Sequence, residues 1–263
     1  MTHFDLRLGD CVAAMSQLPA QSIDLVVTSP PYNLGIRYGK FADTAGRNSY
    51  LSWCEEWARQ VRRVLQPNGS FFLNLGASPK NPMLPHELIL RLRDLFVLQN
   101  TIHWIKAITI PDEEGGEISR GHFKPINSPR FLNDCHEYVF HLTPGGTTAL
   151  DRLALGVSYA DKSNIARWSH TRGRDRRCRG NTWFIPYETI TRRAKDRPHP
   201  ATFPVQLAVN CILLHGLTRI GRMLDPFLGI GNSAVAAQRF GVAEFIGFEI
   251  DEVYLEEAKR RVG

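Results

Sequence analysis

Cysteine is scarce and scattered: Cys11, Cys54, Cys135, Cys178 and Cys211 are five in 263 residues, with no CxxC pair. An odd number so widely spaced excludes a disulfide framework and is read as reduced thiols in a cytoplasmic protein. No apolar run approaches the roughly 20 residues needed to span a bilayer, and the opening MTHFDLRLGD has no apolar core of a secretion signal. Internal repeats and low-complexity tracts are missing too, which sets aside solenoids and disordered arrays. His136-Glu137-x-x-x-His141 is one residue too long for the zinc-protease spacing and sits in strand-like surroundings, so no metal is expected. The expectation is a soluble cytoplasmic protein without a membrane partner.

What is present in excess is positive charge, and it is local. The net charge is +6 at neutral pH. Between Arg167 and Arg197 ten basic residues (Arg167, Arg172, Arg174, Arg176, Arg177, Arg179, Arg192, Arg193, Lys195 and Arg197) face three acidic ones (Asp175, Glu188 and Asp196), a surplus of +7 that leaves the rest of the chain at −1. With Trp168, Trp183 and Tyr187 interleaved, this segment reads as a nucleic-acid footprint, the plainer alternative being a solvated face over core aromatics.

Short apolar runs alternate with segments of helical period, the pattern of a largely parallel sheet flanked by helices. Seven strands are expected, at Phe4 to Leu8, Ile23 to Thr28, Ser70 to Leu75, Thr101 to Ile105, Glu137 to Leu142, Arg222 to Asp225 and Glu244 to Phe248. Trp53, Trp57 and Val61 mark the buried stripe of one helix; Leu207, Cys211 and Leu214 mark another, and a third follows Asp251. Pro111 to Asn133 and Thr143 to Pro200 break the alternation and are read as loops or a small insertion on one domain spanning residues 1–263.

Met223 to Ala237, MLDPFLGIGNSAVAA, is strand, glycine turn and helix. Gly229 and Gly231 allow a tight turn and a close backbone approach, and the helix start behind them offers free amides. Twenty residues after Gly229, EFIGFE ends in Glu249, where such folds present a carboxylate to ribose hydroxyls, so a nucleoside cofactor is expected. The same residues satisfy the dinucleotide fingerprint, and an NAD oxidoreductase is an alternative. Only 14 residues follow Glu249 in this sequence, so the remaining strands of the sheet are expected upstream. That order places the first strand beside the last and brings Asp10 near the cofactor, unless Asp10 is simply a helix cap.

Thr28-Ser29-Pro30-Pro31-Tyr32-Asn33 closes the apolar strand Ile23 to Thr28, at the sheet edge where ligands bind. Together, Ser29-Pro30-Pro31-Tyr32 and Asp225-Pro226-Phe227-x-Gly229-x-Gly231 resemble the catalytic and cofactor motifs of the S-adenosylmethionine-dependent DNA amino-methyltransferases, and their order resembles that family's beta group. His199 to Pro204, HPATFP, and His136 to His141, HEYVFH, are similar to segments of the same group. One departure is Asn232-Ser233, where threonines are common. The resemblance implies a mostly parallel, Rossmann-like α/β sheet of seven strands in permuted order. It also implies S-adenosylmethionine held by Asp10, Phe203, Asp225, Phe227, Gly229, Gly231, Asn232 and Glu249, with Ser29, Pro30, Pro31 and Tyr32 as the catalytic loop. A DNA target-recognition region at about 143–200 would use Arg172, Arg174, Arg176, Arg177 and Arg179, most of them on phosphates.

The residue types suit the chemistry. An exocyclic amine is a poor nucleophile because its lone pair is delocalised into the base. If the Ser29 hydroxyl and the Pro30 carbonyl accept its two N–H bonds, the nitrogen is drawn toward tetrahedral geometry and its lone pair can be aimed. The prolines stiffen the loop and supply no competing N–H, and Tyr32 can stack on a base rotated out of the duplex. Serine at the first motif position implies the N4 amine of cytosine; the N6 amine of adenine is the alternative. RNA or a protein amide as substrate, and a catalytically silent DNA-binding module, are further alternatives. The expected partner is double-stranded DNA, with a separate cognate restriction endonuclease possible, and the chain is expected as a monomer or homodimer.

Overall fold

The computed structural model describes the chain except for Arg37, His122, Lys124, Pro125 and residues 187–200. Its centre is an eight-stranded sheet in the order β1-β10-β9-β2-β3-β7-β4-β8. These strands are β1 (His3–Leu8), β2 (Ile23–Thr28), β3 (Leu65–Leu75), β4 (Val97–Ile105), β7 (His136–Thr143), β8 (Thr182–Phe184), β9 (Arg222–Asp225) and β10 (Glu244–Glu249). The first five in sheet order run parallel, β7 is antiparallel to both its neighbours, and β8 runs parallel to β4. The first strand does lie beside the last, with Phe4 opposite Phe245.

Three strands lie outside the seven expected. β8 lies inside the arginine-rich segment and makes the sheet eight-stranded rather than seven-stranded. Its three residues are too few to show a period, and it is fixed by tertiary contacts: Trp183 pairs with Trp104, and the Trp104 indole donates to the Ile185 carbonyl at 2.8 Å. A separate hairpin of β5 (Ala107–Pro111) and β6 (Glu117–Gly121) runs into the Gly- and Pro-rich stretch Pro111 to Asn133, which the sequence marks as a loop or small insertion. The Asp112 carboxylate closes its turn by accepting from the Glu114 and Gly116 amides.

Helices cover both faces. One face packs α1 (Cys11–Ser16), α2 (Arg47–Val64) and α3 (Leu84–Leu92); the other packs α5 (Val205–His215), α6 (Asn232–Arg239) and α7 (Glu252–Val262), while the short α4 (Ser163–Arg167) lies in the insertion. β2 serves both cores because its side chains alternate: Leu25 and Val27 join the α5–α7 side and Val26 the α1–α3 side. In α2, Tyr50, Cys54, Trp57, Ala58 and Val61 form the buried stripe.

The chain order has a functional consequence. From β2 the sheet grows one way into β3, and from β9 it grows the other way into β10. The carboxyl ends of β2 and β9 therefore flank a reversal point, where the diverging loops leave a crevice. Among the described residues no helix is long and apolar enough to cross a membrane.

Candidate active site

The crevice is a cavity of about 730 Å³, within the range of pockets that enclose a nucleoside-sized ligand. Both motifs reach it. Ser29, Pro30, Pro31 and Tyr32 line one part, and Phe203, Phe227, Gly229, Asn232 and Glu249 line the other. The two strands beneath are neighbours, Val26 opposite Leu224. A buried hydrogen bond from Thr28 Oγ1 to Asp225 Oδ1 at 2.5 Å ties the end of one motif strand to the end of the other.

Asp225 is expected from the sequence at the cofactor, and the structure places it under the turn instead. Its buried carboxylate accepts from Thr28, from the Ser233 hydroxyl and from the Phe227 amide at 3.0 Å. Burial pushes its carboxyl up to about 6, although these hydrogen bonds oppose the shift. Gly231 likewise faces inward. Its φ is +79°, and a Cβ there would lie 2.9 Å from that of Ala258, so it lets α6 pack on α7. Asp10 caps α1, accepting from the Val12 and Ala13 amides at 2.9 and 3.0 Å, and it lines a smaller pocket beside Phe227 and Glu249 rather than the main cavity.

Glu249 does line it. Oε2 accepts from the Gly229 amide at 2.7 Å and Oε1 from the Asp251 amide at 2.9 Å. Burial raises its carboxyl above the ordinary value. A carboxylate has about four acceptor positions, so acceptor capacity remains for ribose hydroxyls. Asn232 bridges two segments, donating to the Phe203 carbonyl at 2.5 Å and accepting from Arg261 at 2.6 Å. Phe227, which lines the cavity, is backed by Trp53 and Trp57, its ring meeting theirs edge-on at 5.6 and 5.4 Å. A polar carboxylate, a positive-φ glycine turn and an apolar wall fit S-adenosylmethionine.

The Ser29-Pro30-Pro31-Tyr32 loop is held from outside. Tyr50 donates its hydroxyl to the Pro31 carbonyl at 2.7 Å. The buried Asp43 carboxylate accepts from the amides of Asn33, Leu34 and Ile36 at 2.7, 3.0 and 3.0 Å, so the residues after Tyr32 are folded around one anion. Asp43→Ala would strand these amides. It is expected to cost about 1–3 kcal/mol and to lower activity, as urea unfolding and transfer rates measured together would show.

Asn74, Lys106 and Glu137 complete the polar lining beside Ser29. None stands out for this role in the sequence. Glu137 appears there as the start of an expected strand and inside HEYVFH, without a role of its own, and in β7 it is separated from His141 by about 13 Å of extended chain. Among the described residues no cluster of three or more potential metal-binding side chains is present.

The five arginines divide. Arg176 donates to the Leu153 and Ala154 carbonyls at 2.6 and 2.9 Å, and Arg179 to the Leu155 carbonyl at 3.1 Å, so these two secure the insertion. Arg177 makes a longer contact with the Cys178 carbonyl, 3.3 Å. Arg172 and Arg174 are exposed and, among the described residues, bind no protein group through their side chains. Trp183 is core. Tyr187, Arg192, Arg193, Lys195, Arg197, His199 and Pro200 lie outside the described residues.

A three-layer α/β sheet with a motif on each side of its reversal point is the frame of an enzyme that binds a nucleoside cofactor. Residues 23–260 match the family profile described as "DNA methylase", labelled for N6 and N4 methyltransferases, and the chain belongs to that family of DNA amino-methyltransferases. The type II methyltransferase M.ScaI of Streptomyces caespitosus is 29% identical, over 97% of this chain and 79% of the relative. The PvuII DNA methyltransferase (cytosine-N4-specific) shares the fold with a TM-score of 0.68 at 19% identity, covering 99% of this chain and 86% of that one. The Thermus thermophilus protein TTHA0409, solved with S-adenosyl-L-methionine, superposes with a TM-score of 0.63 at 25% identity, covering 99% and 93%.

Proposed function

We propose that this methyltransferase acts on a base rotated out of duplex DNA and that its target is the N4 amine of cytosine. The observation that carries the reading is the meeting of Ser29-Pro30-Pro31-Tyr32 and the Gly229 turn in one cavity. Bound at the glycine turn, S-adenosylmethionine supplies an electrophilic methyl group on a positively charged sulfur. The chain's part is to hold and aim the amine. Ser29 Oγ and the Pro30 carbonyl accept its N–H bonds, and Pro31, whose carbonyl is engaged by Tyr50, fixes the loop. Tyr32 supplies a ring face to the displaced base. Glu249, Phe203, Phe227 and Asn232 hold the cofactor side.

Cytosine is favoured because serine stands first in the motif, the pattern associated with N4 transfer in the family that the loop resembles. Residues 143–200 serve as the target-recognition region, and a cognate endonuclease would act as a separate protein. The test is product analysis. The purified protein is incubated with S-adenosylmethionine and mixed-sequence duplex DNA, and the digested nucleosides are read by mass spectrometry. N4-methylcytosine is expected. N6-methyladenine would retain the clamp and overturn the base assignment, while methylation of RNA or protein alone would overturn the substrate.

The recognition region makes its own prediction. Replacing Arg172 and Arg174 with glutamine should weaken DNA binding and reduce the slope of log affinity against log salt by about one for each phosphate no longer neutralised. Arg176→Gln should instead lower stability, because it leaves two carbonyls unpartnered. An unchanged salt slope in the Arg172/Arg174 variant would make that face merely solvated.

A further inference from the structure

Ser29 Oγ lies 2.7 Å from Tyr32 Oη, and for two hydroxyls the distance leaves the donor undecided. The neighbours decide it. Glu137 Oε2 is 3.1 Å from Tyr32 Oη, and a carboxylate only accepts, so the single Tyr32 proton points to Glu137. Burial, and then the Glu137 charge, push the Tyr32 phenol well above its ordinary value and keep that proton in place. Asn74 Nδ2 reaches Tyr32 Oη at 2.6 Å and Glu137 Oε2 at 2.8 Å, which uses both amide protons; its contact with Ser29 Oγ is longer, 3.4 Å. Lys106 Nζ holds Glu137 Oε1 at 3.1 Å. With its own proton committed, Tyr32 can only accept from Ser29. The chain therefore runs one way, from Ser29 to Tyr32 to Glu137, and the lone pairs of Ser29 are left for a group in the cavity.

We infer that Glu137 is a positioning residue that sets the direction of this chain, so that Ser29 presents acceptors rather than a proton to the target amine. The inference rests on the proposed amine clamp. Without the carboxylate, Tyr32 can turn its proton to Ser29, and the Ser29 proton then turns toward an amine that must itself donate. The fold brings the residues together because β7 runs antiparallel to β3. Leu75 pairs with Tyr138, so the first residues of β7 meet the last of β3 at the edge where the Ser29 loop leaves β2. Gly76 makes room, since a Cβ there would lie 2.8 Å from Tyr32 Cε2 and 3.3 Å from Glu137 Cδ.

Glu137→Gln tests the direction, because an amide can donate to Tyr32 as well as accept from it. The transfer rate at saturating S-adenosylmethionine and duplex DNA is compared in four proteins: wild type, Glu137→Gln, Ser29→Ala and the double variant. Cofactor affinity and urea midpoint are followed alongside. The expected result is a drop in kcat of about 10–100-fold for Glu137→Gln, and less than about twofold further loss in the Ser29→Ala background, because the two act as a unit. Cofactor affinity should stay within about twofold, since Glu137 lies away from the glycine turn. Should Glu137→Gln unfold, Tyr32→Phe carries the same test, since it removes the hydroxyl that accepts the Ser29 proton. Wild-type kcat in Glu137→Gln, or an equal fold loss with and without Ser29, overturns the inference while leaving the clamp standing. Absence of DNA methylation by the wild-type chain, or an unaffected Ser29→Ala, overturns the clamp and the inference with it.

Discussion

Ser29→Ala is expected to lower kcat for methyl transfer by about 10²–10³-fold, the usual loss when one preorganised hydrogen-bonding group at a reacting centre is removed. Cofactor affinity should barely change. Ser29 stands on the loop after β2, whereas the glycine turn follows β9, and the tie between the two strand ends runs through Thr28 and Asp225, which the substitution leaves intact. The fold should also persist, because alanine fills nearly the same space and the loop keeps its other anchors, Tyr50 on Pro31 and Asp43 on the following amides. The loss should fall on kcat rather than on the KM for S-adenosylmethionine, the signature of an interaction realised at the transition state. Tyr32→Ala, which removes both the ring and the hydroxyl, should cost more than Tyr32→Phe. A Ser29→Ala enzyme as fast as wild type would sink the clamp mechanism.

How much of this site was legible depended on where each residue's information lies. Ser29-Pro30-Pro31-Tyr32 and the glycine turn are contiguous motifs at strand ends, so local sequence fixes both their identity and their place, and the structure brings them together in one cavity. Asp225 and Gly231 belong to a motif that could be read but not apportioned. A string shows that they accompany the turn, but only packing shows that one is buried beneath it and the other faces Ala258. Asn74 and Glu137 were out of reach, because they stand 63 residues apart and meet only through the β3–β7 register. Asp43 is nearer, ten residues beyond Asn33, yet an acidic residue in a loop has no periodicity to betray it. The arginine segment showed the opposite limit. Its surplus charge was plain, but nothing in the string separates Arg176 and Arg179, spent on carbonyls, from Arg172 and Arg174.

Acid should destabilise the protein through two buried histidines at the far end of the sheet from the site. Asn100 Nδ2 donates to His141 Nδ1 at 3.0 Å, so His141 Nε2 carries the proton and donates to Ser70 Oγ at 2.9 Å; Ser70 can then donate to His215 Nδ1, also at 2.9 Å. This one-way chain is complete only when both rings are neutral. A proton added to His215 Nδ1 would confront the Ser70 proton, and one added to His141 Nδ1 would confront the Asn100 amide. Burial, reinforced by the His215 ring, brings His141 down to about 3; burial, then the Arg219 charge, brings His215 down to about 4 despite the opposing pull of Asp24. Both folded values lie below the ordinary 6.5, so this stability is present above pH 6.5 and is lost as pH falls toward the folded values. Between pH 7 and pH 4.5 each histidine should remove about 2–3 kcal/mol. Asp225 works in the opposite sense, because its carboxyl is raised to about 6 and the cost of burying its charge fades as pH falls through that value. It should offset about 2 kcal/mol over the same range. Urea unfolding of the wild type and of His141→Gln separates the contributions. Glutamine does not titrate, so the variant should be less stable at pH 7 yet lose about 2 kcal/mol less than the wild type on going to pH 4.5. Parallel losses in the two proteins would mean that His141 is not the group taking up the proton.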